Sequence, residues 1–232
     1  MLKVKLPGSK SFKRVLLGVL ILVIIGILVK QGIDNKEASD KQNKIEEQIK
    51  ADEEKALQEK AKQEAEAASS QKALDVKTEE ARNIFYSKDY SGAIKLCNEV
   101  LKEDSSNYKA YNVRGIAKAY SGDFRGGMKD IDKALEISPD YGYARFNKAL
   151  NYELHGYFEE ALYWYDRALE SEKYVWSYYG IASIYGRRGD IENTVKYLKM
   201  AIELDPAVKE TAEDEHDFDP VRTSDKFNNL IK

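Results

Sequence analysis

Cysteine, histidine and proline are scarce in this sequence, which has one, two and four of them in 232 residues. The single cysteine, Cys97, excludes an intrachain disulfide. Cys97 has no histidine nearby in sequence that could activate it as a nucleophile. His155 directly precedes a turn glycine, as an exposed turn histidine does, and His216 lies in an acidic segment typical of a solvated cap. A glycine-rich phosphate loop and the spacing of zinc ligands are also missing. We therefore expect no enzyme activity, no catalytic residue, no metal site and no cofactor.

The charge is distributed unevenly along the chain. Residues 1–30 contain six basic residues and no acid, whereas the formal charge of the whole chain is −3. The remaining residues therefore carry −9. A surface that binds nucleic acid needs a basic face to displace counterions, so nucleic acid is not an expected partner.

One long apolar run follows the basic start. The stretch from Val15 to Val29 has no polar side chain and would span roughly 22 Å as a helix of about 1.5 Å per residue. Flanking lysines can extend this span towards the thickness of a bilayer core, about 30 Å. We expect a transmembrane anchor at 15–30, behind a basic segment at 1–14, rather than a buried core helix.

The flanks of this run favour an uncleaved anchor. Lys30 stands where signal cleavage requires a small residue, and no cysteine follows that could be lipidated. Positive charge precedes the run, whereas acids and lysines are mixed after it. The positive-inside rule then places the amino terminus in the cytoplasm and the rest of the chain outside it, in a bacterial envelope.

A charged, low-complexity stretch occupies residues 31–73. It lacks proline, and the helix formers Ala, Glu, Lys and Gln dominate it. Its large apolar residues after Ile33 are Ile45, Ile49 and Leu57, too few for the heptads of a coiled coil. We expect a solvated helical or partly disordered spacer, with a weak dimeric coiled coil as the minor alternative.

A pattern then recurs at a spacing of about 34 residues between positions 74 and 208. Its clearest copy includes the turn Gly122–Asp123–Phe124 and ends at Ser138–Pro139. Glycine at the turn can end a helix in the left-handed conformation at little cost, and small residues permit two helices to cross closely. The small residues at the eighth and twentieth positions of the copies are Ala81, Gly115, Ala149 and Ala182, and Ala93, Gly127, Ala161 and Thr194.

These residues resemble the tetratricopeptide repeat, a helix–turn–helix unit of about 34 residues. The resemblance implies an all-α fold, a right-handed α-solenoid in which four stacked units bury a continuous core. Residues 209–232 look like the C-terminal cap of bacterial members of the family, since an Asp-Phe-Asp-Pro segment precedes a final helix containing Phe227. The four expected repeats are 74–107, 108–141, 142–174 and 175–208.

The resemblance also implies a concave groove lined by the first helix of each repeat. Seven of the twenty groove positions are aromatic, against 11% of the chain, and aromatic side chains are typical of binding hot spots. The alternative is that these rings pack between repeats or against the spacer. The residues expected to bind a protein or extended peptide are Arg82, Phe85, Tyr86, Asn112, Tyr120, Tyr143, Phe146, Trp176, Tyr179 and Arg187.

The expected function is that of a membrane-anchored scaffold or adaptor that binds a partner protein. Two alternatives stay open: a targeting receptor whose repeats face the cytosol, and a structural spacer whose repeats self-associate. The oligomeric state is not indicated. Some family members grip chaperone C-termini through a Lys/Asn clamp, but Thr78, Arg82 and Val113 stand at three of its places. Chaperone binding is therefore not expected.

Overall fold

The computed structural model describes residues 8–232, and the chain divides into two compact units, 1–69 and 70–232. The first seven positions of the expected basic segment lie outside the described residues. Within 8–232 the secondary structure is entirely helical. The elements are α1 (Lys10–Tyr86), α2 (Tyr90–Glu103), α3 (Tyr108–Tyr120), α4 (Phe124–Ile137), α5 (Gly142–Leu154), α6 (Phe158–Leu169), α7 (Val175–Arg187), α8 (Ile191–Leu204), α9 (Val208–Asp214), a 3-10 helix (His216–Val221) and α10 (Asp225–Ile231).

The first unit contains the apolar part of α1. Its aliphatic side chains are exposed, Val15 and Leu22 among them. By length and composition this helix is able to cross a membrane, a property that signal sequences share. Helix α1 continues without a break past residues 14, 30 and 73, where the sequence changes composition. The segment boundaries drawn there stay a prediction.

Helices of the second unit pair in chain order. The end of α1 packs on α2, and the following pairs are α3 with α4, α5 with α6, and α7 with α8. The expected small residues lie at these crossings. A Cβ added to Gly115 would lie 2.9 Å from the carbonyl oxygen of Gly127, and one added to Gly127 would lie 2.7 Å from that of Gly115. Backbone therefore meets backbone between α3 and α4, which only glycine permits.

The turns within the pairs follow the expected pattern. Gly122, Gly156 and Gly189 have φ values of 85°, 82° and 70°, and Lys88 occupies the matching position of the first pair at 66°. After Gly122, the side chain of Asp123 accepts a hydrogen bond from the backbone of Gly126 and so caps α4. The turn thus ends one helix and begins the next within a few residues.

The last helices close the core at the end of the pairs. The fully buried side chains of Phe218, Val221 and Phe227 pack with Ala182 and Leu198 of α7 and α8. Ser224 lies at the N-cap position of α10, as expected, although its side chain makes no capping hydrogen bond. This C-terminal segment therefore covers apolar surface that the last helix pair would otherwise expose to water.

Candidate functional site

A cavity of about 800 Å³ lies along the first helices of the pairs, within the second unit. We call this cavity the groove. Eleven of its 23 lining residues are aromatic, so about half of its lining residues offer large, rigid contact area. Its volume falls within the usual range for a binding site, about 300–1,000 Å³. The aromatic lining residues are Phe85, Tyr86, Tyr90, Tyr120, Tyr143, Phe146, Phe158, Tyr165, Tyr174, Trp176 and Tyr179.

The end of the groove next to the first helix pair is an aromatic cluster beside a lysine. The ring centroids of Phe85, Tyr90 and Tyr120 lie 5.4–5.7 Å from one another. Burial raises the pKa of Tyr120, so its hydroxyl stays protonated. Lys88, in the left-handed turn, also lines the groove here. This end therefore combines apolar surface with one positive charge.

The middle of the groove contains a hydrogen bond between non-adjacent helix pairs. The Tyr86 and Tyr143 hydroxyl oxygens are 2.8 Å apart, although 57 residues separate them in sequence. The Tyr143 ring stacks on Phe146 and meets Tyr174 edge-on, at centroid distances of 5.9 and 6.0 Å. Burial, together with the bond to Tyr86, raises the pKa of Tyr143. These rings form a fixed wall.

The opposite end of the groove, next to α7 and the 3-10 helix, is polar. Glu153 accepts hydrogen bonds from Tyr165 Oη at 2.5 Å and from Ser183 Oγ at 3.0 Å. Arg187 Nη2 lies 2.7 Å from Asp217 Oδ1, and Asp217 also contacts the Ser183 hydroxyl. Burial raises the pKa of Glu153, whereas its hydrogen bonds oppose the shift.

Two glycines on α7 allow this polar end to form. A Cβ on Gly180 would lie 2.6 Å from Tyr165 Oη, so only glycine leaves room for the ring whose hydroxyl reaches Glu153. A Cβ on Gly186 would lie 2.8 Å from the backbone oxygen of Asp217. Gly186 therefore lets the 3-10 helix approach α7 and bring Asp217 to the groove.

The structure brings eight of the ten predicted binding residues to the groove and leaves two outside its lining. Asn112 is fully buried, and its Oδ1 accepts a hydrogen bond from Asn147 Nδ2 at 3.0 Å. Arg82 pairs instead with Glu79 on its own helix. The eight lining residues are Phe85, Tyr86, Tyr120, Tyr143, Phe146, Trp176, Tyr179 and Arg187. The binding role of all ten stays a prediction, and the position of Asn112 gives it no support.

Exposure divides the lining into open rings and wall rings. Tyr86, Tyr120 and Trp176 are 58%, 39% and 36% exposed, whereas Phe146 and Tyr179 are 8% and 9% exposed. The open rings offer their faces to a ligand, whereas the faces of the wall rings are covered by their neighbours. Trp176 lies in the first turn of α7 and meets Tyr179 edge-on at 5.4 Å.

Sequence reasoning missed lining residues that lie outside the first helices. Tyr90, Phe158 and Tyr165 belong to second helices, and Tyr174 immediately precedes α7. The C-terminal segment contributes two further residues, Glu215 and Asp217. The only sequence signal for Asp217 was its place in the Asp-Phe-Asp-Pro motif, which indicates a cap rather than a site.

Comparisons with known proteins agree on the repeat. The family model described as "Tetratricopeptide repeat" matches residues 177–208. The chain is 26% identical over 124 residues to the TPR repeat-containing protein MJ1428 of Methanocaldococcus jannaschii, covering 50% of this chain and 20% of that protein. It is 32% identical over 75 residues to the uncharacterised protein MJ0572 of the same organism, covering 32% of this chain and 87% of that protein.

Among solved structures, the thermophilic TPR protein TTC0263 of Thermus thermophilus superimposes with a TM-score of 0.54 and 15% identity. The match covers 68% of this chain and 90% of that one. At this identity the likeness concerns the fold alone. The chain spans about a fifth of the length of MJ1428, so nothing about the whole of that relative carries over.

Proposed function

We propose that this chain, a tetratricopeptide-repeat protein of the non-enzymatic scaffold type, binds an extended segment of a partner protein in the groove. One observation carries the proposal. The groove joins eleven aromatic residues from four helix pairs into one cavity, and three of those rings, Tyr86, Tyr120 and Trp176, are open to solvent. Partly exposed aromatic rings in a concave surface are typical of binding hot spots.

The shape of the groove favours an extended segment over a compact ligand. Its lining begins at Phe85 on α1 and continues to Asp217 beyond α9. A ligand that touches both ends must therefore cross several repeats. An extended peptide does this at about 3.3 Å per residue and presents alternate side chains to the wall.

We further propose that residues 15–30 anchor this scaffold in a membrane. Support comes from the exposed apolar face of α1 and from the basic residues that precede it. The charge bias favours an amino terminus in the cytoplasm and repeats on the outer side. The partner would then be a protein of the bacterial envelope.

The test is chemical crosslinking of the full-length chain in its own membrane, followed by affinity purification. Trp176→Ala should reduce the yield of crosslinked partner by about tenfold, because it removes an open aromatic contact. Tyr163→Ala is the matched control, since Tyr163 is a 58% exposed aromatic on α6 outside the groove. Equal yields from the wild type and both variants would mean that the partner binds elsewhere.

A further inference from the structure

The polar end of the groove holds more acidic than basic side chains. Glu153, Glu215 and Asp217 line it, and Arg187 is the one base among the lining residues there. Arg187 is already paired with Asp217. The salt bridges formed within residues 8–232 include neither Glu153 nor Glu215. Glu153 and Glu215 therefore face this end of the groove without a salt bridge, although Arg187 is near enough to oppose the rise in the pKa of Glu153.

Two of the carboxylates compete for a single proton donor. Ser183 Oγ lies 3.0 Å from Glu153 Oε1 and in hydrogen-bond contact with Asp217 Oδ2. A serine hydroxyl has one hydrogen, so it can donate to only one of them at a time. While both carboxylates are ionised, the other carboxylate oxygen then faces a lone pair. An arriving N–H donor with positive charge would relieve this conflict.

Tyr179 is a second, independent feature that points to ligand binding at this end. The residue is 9% exposed, its ring lines the groove, and its hydroxyl is buried without a hydrogen-bond partner. After burial, Glu215 and Asp217 are the strongest influences that raise its pKa, so the hydroxyl lies close to the acidic cluster. Buried hydroxyl groups are normally paired, and the Tyr179 oxygen is free to accept from an N–H donor.

The aromatic rings around these carboxylates suit the same kind of ligand. Trp176 and Tyr179 meet edge-on, and Tyr165 closes the wall beside Glu153. The electron-rich face of an aromatic ring attracts ammonium and guanidinium groups, and Trp176 is the exposed ring of the three. Their alkyl stems can meanwhile pack against the apolar part of the wall.

We propose that this end of the groove is a subsite for a cationic side chain, the lysine or arginine of a bound peptide segment. The subsite is formed by Glu153, Tyr179, Glu215 and Asp217, with Trp176 at its mouth. This inference rests on the proposed function, because it assigns the chemistry of one residue of the segment that the groove binds. Lys88 at the other end gives the groove a charge polarity that would orient the segment.

The experiment selects peptides on the full-length chain in detergent micelles, from a phage library that displays random dodecapeptides. Peptides that also bind the Trp176→Ala variant are removed, and those that remain are taken to bind the groove. We expect those peptides to share a lysine or arginine at one register position. A synthetic copy of the best peptide is then compared with the same peptide in which norleucine replaces that residue, and binding is followed through tryptophan fluorescence.

Norleucine should lower the affinity for the wild type by about tenfold, because it keeps the stem and removes the charge. The double variant Glu153→Gln, Glu215→Gln should bind both peptides about equally, since the amides keep the shape of the carboxylates. Glu213→Gln is the matched control, an exposed acid near the subsite but outside the groove lining, and should retain the tenfold preference. Circular dichroism checks that each variant is folded.

The remaining outcomes separate a failure of the subsite from a failure of the proposed function. Groove-binding peptides without a basic preference would overturn the subsite and leave the proposed function intact. A basic preference that survives the double variant would overturn the assignment to these carboxylates. If no peptide is enriched over empty micelles, or if Trp176→Ala changes nothing, the proposed function fails and the subsite fails with it.

Discussion

At the scale of single residues, Phe146 shows how a side chain can line a groove and still belong to the core. Its ring packs against Tyr143, Tyr165 and Tyr174, with centroids 4.9–5.9 Å away. Only 8% of the residue is exposed. Loss of partner binding on mutation of Phe146 would therefore not by itself identify a contact residue.

We predict that Phe146→Ala lowers the free energy of unfolding by about 3–5 kcal/mol, because it leaves a cavity among these rings. Trp176→Ala should lower it by less than about 2 kcal/mol, since this ring is already partly in water. Urea unfolding followed by circular dichroism measures both values. Equal losses would show that Trp176 is as much a core residue as Phe146, and Trp176→Ala would then be a poor probe of binding.

At the scale of elements, the turn within each helix pair is the most instructive feature. Three turns place glycine in the left-handed region, whereas the first places Lys88 there at φ 66°. For a residue with a Cβ, that conformation costs roughly 1–2 kcal/mol of conformational energy. Glycine loses more backbone entropy on folding, which offsets part of its advantage over lysine at this position.

We predict that Lys88→Gly raises the free energy of unfolding by about 0.5–1 kcal/mol. The reverse change, Gly156→Ala, should lower it by a similar amount. A Cβ at Gly156 would have no neighbour within 4 Å, so that variant measures backbone strain alone. Thermal unfolding of both variants and the wild type is the measurement. A loss of stability in Lys88→Gly would mean that the lysine side chain contributes more than its backbone strain costs.

The helix pairs could be predicted from the sequence because their signals are local. Small residues such as Gly115 and Gly127 recur at a fixed period, and a glycine or lysine marks each turn. The start of the first pair could not be located in this way. Helix formers continue through residue 73, and α1 continues there too, since no local signal stops it.

At the scale of the whole molecule, the site could be predicted only in part. Eight of the residues predicted from their positions in the first helices do line the groove, because the residues on one face of a helix follow from spacing alone. Glu215 and Asp217 reach the groove through the way the C-terminal segment packs on Gly186, which no local pattern reports. Asn112 likewise accepts a hydrogen bond from Asn147 in the next repeat, a contact that no local pattern reports.

A prediction about membrane attachment also belongs at this scale. The full chain should stay in the membrane pellet after alkaline carbonate extraction, whereas a variant without residues 1–30 should be soluble. Protease added to intact cells should digest the repeats if they face outward. A protected repeat region in intact cells would instead support the cytosol-facing receptor, and a pelleted deletion variant would place the attachment elsewhere in the chain.

The hydrogen bond between Tyr86 and Tyr143 affects how this array of repeats unfolds. In an ideal solenoid each repeat touches only its neighbours, so the ends can fray while the middle persists. This bond ties the first repeat to the third and skips the second. Fraying of the first repeat should therefore cost about 0.5–1.5 kcal/mol more than it would without this bond, the usual net contribution of one hydrogen bond.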